Sequence, residues 1–229
     1  MYQLGALCVL VVNPKMKRKS AIEDLLKVMV RLRSPTGCPW DREQSHMTLR
    51  RHAIEEVYEL IDAIEARDDH EMAEELGDLL LQVVFHCQLA RERGAFDFEK
   101  VCRGLVEKLI RRHPHVFGTT KVKDVDEVWA NWETIKRAEK HGTKHARHSA
   151  FDGIPKHLPA LLRAEKLMKK ARNVLGDGHF SKRKLAKSVL AKELFELAAS
   201  AQARGWSAEE LLSAETKKRE RRFRRRERA

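Results

Sequence analysis

The sequence predicts an all-α protein folded as an antiparallel helical bundle, and three observations lead to this prediction. Only 6 prolines and 11 glycines occur among 229 residues, and no run alternates between polar and apolar residues as a half-buried strand would. Apolar residues recur at the spacing of a helical face in several long segments. Capping residues and short breaks separate these segments, as is typical of helices packed side by side.

Five helices are predicted in the first part of the chain. Ser20 and Asp124 are each followed three residues later by a glutamate, which is the pattern of a capping box. Asp69 and Asp97 are the predicted caps of the third and fourth helices. The helices are predicted over about residues 20–33, 48–66, 70–93 and 97–113, with a fifth that opens at residue 124.

The last third of the chain has a different character, because it carries the entire net charge of +12. Residues 1–142 hold 23 Lys and Arg against 24 Asp and Glu, whereas residues 143–229 hold 23 against 10. Nine of these cations crowd into residues 217–228. The prediction is a loose extension at 1–19, a helical domain at 20–140, a linker at 141–159 and a basic helical segment at 160–229. Its helices are predicted over about residues 160–172, 185–204 and 207–228, with irregular chain at 173–184.

The sequence also bears on the compartment in which the protein works. The apolar run at residues 4–12 is shorter than the about 20 residues that a membrane helix needs. A cationic stretch follows this run instead of preceding it, which is the reverse of a signal peptide. The four cysteines show no CxxC spacing and are interpreted as reduced thiols. These features predict a cytoplasmic protein without a membrane partner.

Acidic residues of the second and third predicted helices meet in register. Glu56 and Glu59 are three residues apart, as are Glu75 and Asp78, so each pair projects from one helical face. A hairpin folded at residues 67 and 68 sets Glu59 opposite Glu75 and Glu56 opposite Asp78. Apolar residues flank both pairs, which favours acids at the margin of a core face over a fully solvated charged face.

Four carboxylates that converge between two helices repel one another unless a cation lies among them. Oxygen ligands without His or Cys favour a hard ion, so the pattern predicts a site for Mg²⁺, or for Mn²⁺. A di-iron bundle would instead use Glu-x-x-His on facing helices. The one such spacing nearby runs from Glu43 to His46, which falls in the predicted loop.

Five motifs extend this pattern along the chain: GCPWD at 37–41, EExxE at 55–59, ELGDLL at 75–80, RRHPHVFG at 111–118 and WxxWExIK at 129–136. In this order and spacing, the sequence resembles the MazG-like nucleoside triphosphate pyrophosphohydrolases over about residues 20–140. The resemblance implies hydrolysis of a nucleoside triphosphate to the monophosphate and pyrophosphate, as in clearing of the nucleotide pool. It also implies the all-α fold of that enzyme class, Mg²⁺ and a homodimer.

The resemblance assigns roles to the acids. Glu56, Glu59, Glu75 and Asp78 match the metal-binding acids of the family. Glu55 is one residue, or 100°, away from the face of Glu56 and Glu59. Two roles stay open for Glu55, because it could hold a second ion or accept the proton of the attacking water.

The resemblance also assigns substrate-binding residues. Lys108 and Arg112 are four residues apart on one helical face with Arg111 beside them, and they match positions that contact phosphate. Trp132 and Lys136 are also four apart, and the family match sets the ring near the nucleoside and the cation near the phosphates. Trp129 is the expected core residue of that helix.

The basic segment resembles parts of a second, shortened copy of the same domain. Residues 150–174 resemble the linker and first helix of such a copy, and residues 205–228 resemble its late basic helix. No EExxE helix lies between them, and Val189 and Lys192 occupy the positions where the ExxD acids belong, so no metal site is expected there. Catalysis is therefore expected from residues 20–140.

Residues 217–228 have two interpretations: a solvated helix end that supports the fold or the dimer, and a weak, non-specific contact with nucleic acid. The second is the secondary one, because interleaved glutamates dilute the positive field.

Two classes of function follow. The first is an Mg²⁺-dependent nucleoside triphosphate pyrophosphohydrolase, which the complete set of acids favours. The second is a catalytically inactive nucleotide- or nucleic-acid-binding regulatory protein derived from such an enzyme, which the degenerate last third favours.

Overall fold

The computed structural model describes residues 20–139, 142, 143, 146, 148–176 and 184–228. All regular structure within these ranges is helical, and none of their residues belongs to a strand, so the predicted all-α class is confirmed. The extension predicted at residues 1–19 lies outside the described residues. No helix in the described part of the chain is long and apolar enough to cross a membrane.

The chain divides into two compact units, Met1–Thr119 and Thr120–Ala229. The helices of the first unit are α1 (Ala21–Leu32), α2 (Pro39–Glu43), α3 (Arg50–Ala66), α4 (Asp69–Glu92), α5 (Phe98–Arg112) and α6 (Pro114–Phe117). Those of the second unit are α7 (Val125–Ala138), α8 (Ala160–Leu175), α9 (Lys187–Gln202) and α10 (Ala208–Glu227). The domain boundaries given above, with a helical domain at 20–140, stay a prediction.

The hairpin of α3 and α4 turns where the register of the acids requires it. Arg67 adopts the left-handed conformation, with φ 57°, directly after α3. The carboxylate of Asp68 then accepts hydrogen bonds from the backbone N–H groups of His70 at 3.0 Å and Glu71 at 3.2 Å. The predicted cap Asp69 is therefore wrong by one residue, because Asp69 is already the first residue of α4.

Of the three other predicted helix caps, two are confirmed and one is wrong. Asp97 accepts a hydrogen bond from the N–H of Lys100 at 2.8 Å, and Asp124 accepts one from the N–H of Glu127 at 2.9 Å, so both caps are confirmed. The Ser20 hydroxyl makes no capping bond, and its carbonyl oxygen accepts the Glu23 N–H at 2.8 Å instead. The helix begins as predicted, but the capping box is wrong.

The core of the first unit lies where α1 and the loop before α3 meet the C-terminal half of α4. Its buried side chains are Met29, Leu49, Val84, Phe85 and Leu89. Arg33 forms an ion pair with Glu92, with 2.7 Å between its Nη2 and Oε2, and also donates to the backbone carbonyl oxygen of Asp41. Arg33 therefore connects the segment after α1, residues 34–41, to the end of α4.

The second unit has its own core between α8 and α10. Phe151 stacks on Phe223 with ring centroids 5.9 Å apart, and both pack with Leu167 and Ala171. Helix α8 continues to Leu175, three residues beyond its predicted end, and stops at Gly176, whose φ of 75° breaks the helix.

Candidate functional site

Three acids from α3 and α4 meet in the first unit. One carboxylate oxygen from each of Glu56, Glu75 and Asp78 lies within 4.8 Å of the other two. All three side chains are half-buried, because α3 and α4 pack along their length and their acids face the seam between them. We call these residues the three-acid cluster. The antiparallel hairpin brings them together as its numbering predicts.

Glu59 lies at the rim of the three-acid cluster. Its side chain is exposed, and it stands outside the set of oxygens that meet within 4.8 Å. Its charge nevertheless reaches the cluster, because it raises the pKa values of both Glu56 and Glu75. Glu59 is thus within electrostatic range of the site that sequence analysis assigned to it.

The electrostatics of the cluster are those of a site that is short of positive charge. Burial raises the pKa of Glu56 first, and the nearby charges of Asp78 and Glu59 raise it further. The pKa of Glu75 is raised by burial and then by the charges of Glu59, Asp78 and Glu56. A cation beside Glu56 and Glu75 would offset these effects and lower the pKa values of both glutamates.

One buried carboxylate oxygen gives more direct support for a metal ion at this site. Oε2 of Glu75 is shielded from solvent and has no hydrogen-bond partner among the described residues. A buried carboxylate oxygen without a donor is costly, and a coordinated ion removes that cost. The donor set is carboxylate oxygen alone, which suits a hard divalent ion. The residues present therefore fit a metal of the magnesium class.

Gln82 adds a contact that sequence analysis did not identify. Its side chain is only 7% exposed, and its Nε2 donates to Oε1 of Glu56 at 3.3 Å. This hydrogen bond favours the ionised form of Glu56 and lowers its pKa, against the effect of burial. The signal in the sequence is an amide within the apolar run at residues 79–85, one helical turn after Asp78.

Glu55 is not part of the three-acid cluster. Its Oε2 lies 3.3 Å from Nδ1 of His52 on the surface of α3, and its side chain is 61% exposed. The offset of one residue from Glu56 turns it about 100° around the helix, which explains this separation.

The predicted phosphate-binding cations lie on α5, which packs against α4 in the same unit. Lys108 and Arg112 are half-buried, whereas Arg111 is exposed. This pattern agrees with a spacing of four residues along one face.

Trp132 and Lys136 lie on α7 of the second unit, and the structure brings them into contact. Nζ of Lys136 stands 4.5 Å from the centre of the Trp132 ring and 3.1 Å from a carboxylate oxygen of Glu133. Trp129 meets the edge of Trp132 with centroids 5.4 Å apart. Trp129 is 57% exposed, so its expected place in the core of this chain is wrong.

Comparison with known proteins gives a family match over the same residues. The sequence model of the family described as "MazG nucleotide pyrophosphohydrolase domain" matches residues 44–117, which include the whole three-acid cluster. A "Nucleoside triphosphate pyrophosphohydrolase" of Escherichia coli (strain K12) is 49% identical over 154 residues, which are 67% of this chain and 58% of that protein. A "Nucleoside triphosphate pyrophosphohydrolase/pyrophosphatase MazG" of Thermotoga maritima is 50% identical over 152 residues, 66% of this chain and 57% of that one.

A further curated relative and a solved structure also match. An "Uncharacterized 26.1 kDa protein in blaB 3'region" of Streptomyces cacaoi is 40% identical over 193 residues, with 83% of this chain and 76% of that protein covered. The crystal structure of a mazG-related protein from Thermotoga maritima matches 50% of this chain and 97% of its own, with 30% identity and a TM-score of 0.43. The chain spans less than 60% of the length of the Escherichia coli and Thermotoga pyrophosphohydrolases.

Proposed function

We infer that this chain, which belongs to the MazG nucleotide pyrophosphohydrolase family, hydrolyses nucleoside triphosphates to nucleoside monophosphates and pyrophosphate. The observation that carries the proposal is the three-acid cluster, with its unpartnered buried oxygen on Glu75. A triphosphate carries about four negative charges near neutral pH, so a site that binds it requires compensating cations.

Mg²⁺, or Mn²⁺ in its place, is the proposed cofactor, held by Glu56, Glu75 and Asp78 with Glu59 at the rim. When bound, the ion supplies charge neutralisation and polarisation of the phosphate oxygens. The protein's own contribution is to hold the ligands in place. Gln82 orients Glu56 through its hydrogen bond, and the packed hairpin fixes the distance between the two helices.

Five further side chains have proposed roles toward the substrate. Lys108, Arg111 and Arg112 bind phosphate oxygens, because a cationic helix face complements the charge of the triphosphate. Trp132 binds the nucleoside and Lys136 a phosphate, as the family resemblance implies. For Glu55, its separation from the three-acid cluster favours the role of proton acceptor over that of ligand.

A second copy of the chain is the proposed partner. Large apolar side chains stand more than one-third exposed along α3, α4 and α5: Ile54, Val57, Tyr58, Ile61, Ile64, Leu76, Leu80, Val83, Val101, Leu105, Val106, Leu109 and Ile110. Apolar faces of this extent are typical of surfaces that pack against another molecule. A homodimer of the first units would bury them.

The alternative function, a catalytically inactive nucleotide- or nucleic-acid-binding regulatory protein, is less well supported. Loss of catalysis is expected to remove acids from the metal site, yet all four predicted ligands are present and three of them converge. The degenerate features lie in the second unit, away from these acids in the sequence.

The test is product analysis with the full-length protein. A panel of NTPs and dNTPs is incubated with Mg²⁺ or Mn²⁺, and the products are separated by anion exchange. The expected products are the nucleoside monophosphate and pyrophosphate, with no turnover in EDTA. Orthophosphate as the first product, without added pyrophosphatase, would contradict the proposed bond cleavage. Binding of NTP without turnover for every substrate would favour the alternative.

A further inference from the structure

The C-terminal half of helix α10 has two chemically different sides, and Glu220 and Glu227 lie on the inner one. Oε2 of Glu220 accepts a hydrogen bond from Nη2 of Arg163 at 2.6 Å, and its Oε1 accepts one from Nε of Arg224 at 3.0 Å. Glu227 accepts one from the Ser149 hydroxyl at 2.5 Å and one from the N–H of Ala150 at 2.7 Å. Both glutamates are therefore engaged inside the second unit.

The outer side of α10 is cationic throughout its C-terminal half. Between positions 217 and 228, where Arg228 directly follows the helix, eight residues are exposed, and all are basic: Lys217, Lys218, Arg219, Arg221, Arg222, Arg225, Arg226 and Arg228. Glu215 pairs with Arg219 at 2.8 Å and lies 3.9 Å from Lys218. The other six cations have no ion pair with any described residue. We call these eight residues the basic face.

This arrangement differs from the sequence-based expectation that glutamates dilute the positive field. At 100° per residue, Glu220 and Glu227 fall on the same side as the buried Thr216 and Phe223. The basic face covers the opposite half of the helix. Most of its cations form two rows along the helix. One row contains Lys217, Arg221 and Arg225, and the other contains Lys218, Arg222 and Arg226. The basic face is about 16 Å long.

The basic face is fixed in place before any partner arrives. Phe223 is 8% exposed and stacks on Phe151, and Nη1 of Arg224 donates to Oδ1 of Asp152 at 2.6 Å. Cations on an anchored helix lose less conformational freedom on binding than cations on a loose tail. Their mutual repulsion also remains until an anion neutralises it.

We propose that the basic face of α10 binds the phosphate backbone of double-stranded nucleic acid without reading its sequence. Six of its eight cations are arginines, whose planar guanidinium matches phosphate oxygens in pairs. The proposal goes beyond pyrophosphohydrolase activity and uses none of the residues assigned to it.

Two other polyanions fit the basic face less well. Single-stranded nucleic acid is held largely by stacking on aromatic rings, and the one aromatic residue within 217–228, Phe223, is buried. An anionic membrane binds an amphipathic helix through an exposed apolar face. In α10 the face opposite the cations is buried against α8 and Phe151 of the same unit. A duplex needs only a strip of cations.

The experiment measures binding of the full-length protein to a fluorescein-labelled 20-base-pair DNA duplex by anisotropy, from about 50 to 200 mM salt. Arg221→Gln, Arg222→Gln and Arg225→Gln are combined in one variant. A matched variant combines Lys166→Gln, Lys187→Gln and Lys192→Gln, which removes the same charge from exposed positions of α8 and α9.

For the wild type we expect affinity to fall steeply with salt and to be the same for a shuffled duplex. The basic-face variant should lower the slope of log affinity against log salt by about 2.7, since each lost phosphate contact removes about 0.9. The matched variant should keep the wild-type slope, and both should release pyrophosphate at the wild-type rate. A duplex RNA should bind with a similar salt dependence, because it presents the same charged groups.

The proposal is overturned if the two variants weaken binding equally, because net charge alone would then explain it. It is also overturned if the wild type binds vesicles of phosphatidylserine and phosphatidylcholine but no duplex. Tighter binding to an unstructured single strand than to the duplex would likewise exclude the proposed partner.

Discussion

At the scale of single residues, the candidate site depends on side chains that follow one another along one face of α4. Glu75, Asp78 and Gln82 are three and four residues apart, so they stack on the same side of the helix. The two acids meet Glu56 across the hairpin, and Gln82 donates to the same glutamate. A neutral amide within this acidic set orients one carboxylate without adding charge.

This arrangement predicts that Gln82→Met raises the Mg²⁺ concentration needed for half-maximal pyrophosphate release by about tenfold, because loss of an outer-shell hydrogen bond typically costs 10- to 100-fold in metal affinity. The maximal rate at saturating Mg²⁺ should change much less. Mn²⁺ binding measured by calorimetry should weaken in parallel.

A second glutamine on α4 supplies the control for this prediction. Gln88 is also buried and donates to Glu92 at 2.8 Å, in the core at the far end of the helix. Gln88→Met therefore removes a comparable hydrogen bond without touching the three-acid cluster. Equal shifts in metal requirement for the two variants would show that the effect is structural.

The acids and Gln82 differ in how far the sequence could predict them. The acids were predictable because two ExxD-like spacings and a turn at fixed positions determine which carboxylates face each other. Gln82 was not, because an amide in an apolar run has no fixed partner until the distance between the helices is known. Trp129 shows the same limit, since burial depends on tertiary contacts and not on helical spacing.

At the scale of the helices, the turn between α3 and α4 determines the register of the site. Arg67 in the left-handed conformation ends α3, and the carboxylate of Asp68 caps α4. The sequence placed this turn correctly because the packing register of the acids requires it. It did not select between two adjacent aspartates, because either can cap a helix and only the backbone conformation decides.

The two aspartates give a matched test of this cap. Asp68→Ala should lower the free energy of unfolding of the first unit by about 1 kcal/mol, because two backbone N–H groups lose their acceptor. Asp69→Ala should have a smaller effect, since Asp69 makes no such bond and loses only its interaction with the helix dipole. Urea unfolding followed by circular dichroism measures both. A larger loss for Asp69→Ala would contradict the assignment of the cap.

At the scale of the whole molecule, the first unit exposes more large apolar side chains than the packing of a single chain explains. The sequence predicted helices with apolar stripes but could not show which stripes face the chain's own core. Met29, Leu49 and Val84 fill that core, whereas Ile54, Ile61 and their neighbours stay exposed. The proposed second copy of the chain would cover these exposed side chains.

The dimer proposal predicts that Ile61→Lys lowers the mass measured by light scattering toward that of one chain, because a charge would be buried at the interface without a partner. Lys27→Glu changes a charge on the exposed surface of α1 and serves as the control, so it should leave the mass unchanged. An unchanged dimer for Ile61→Lys, at concentrations where the wild type is dimeric, would place the interface elsewhere.

The central claim is that the three-acid cluster holds the metal on which nucleoside triphosphate cleavage depends. The most direct measurement is pyrophosphate release at saturating Mg²⁺ by the wild type, by Asp78→Asn and by Asp62→Asn, which makes the same change at an exposed acid of α3 outside the cluster. Asp78→Asn should fall below about 1% of the wild-type rate, because loss of a ligand exceeds the 10- to 100-fold that outer-shell partners cost. Its thermal stability in EDTA should not fall, since one repelling charge is gone. Asp62→Asn should match the wild type in both measurements. A stable Asp78→Asn variant that keeps most of the wild-type rate would contradict the claim.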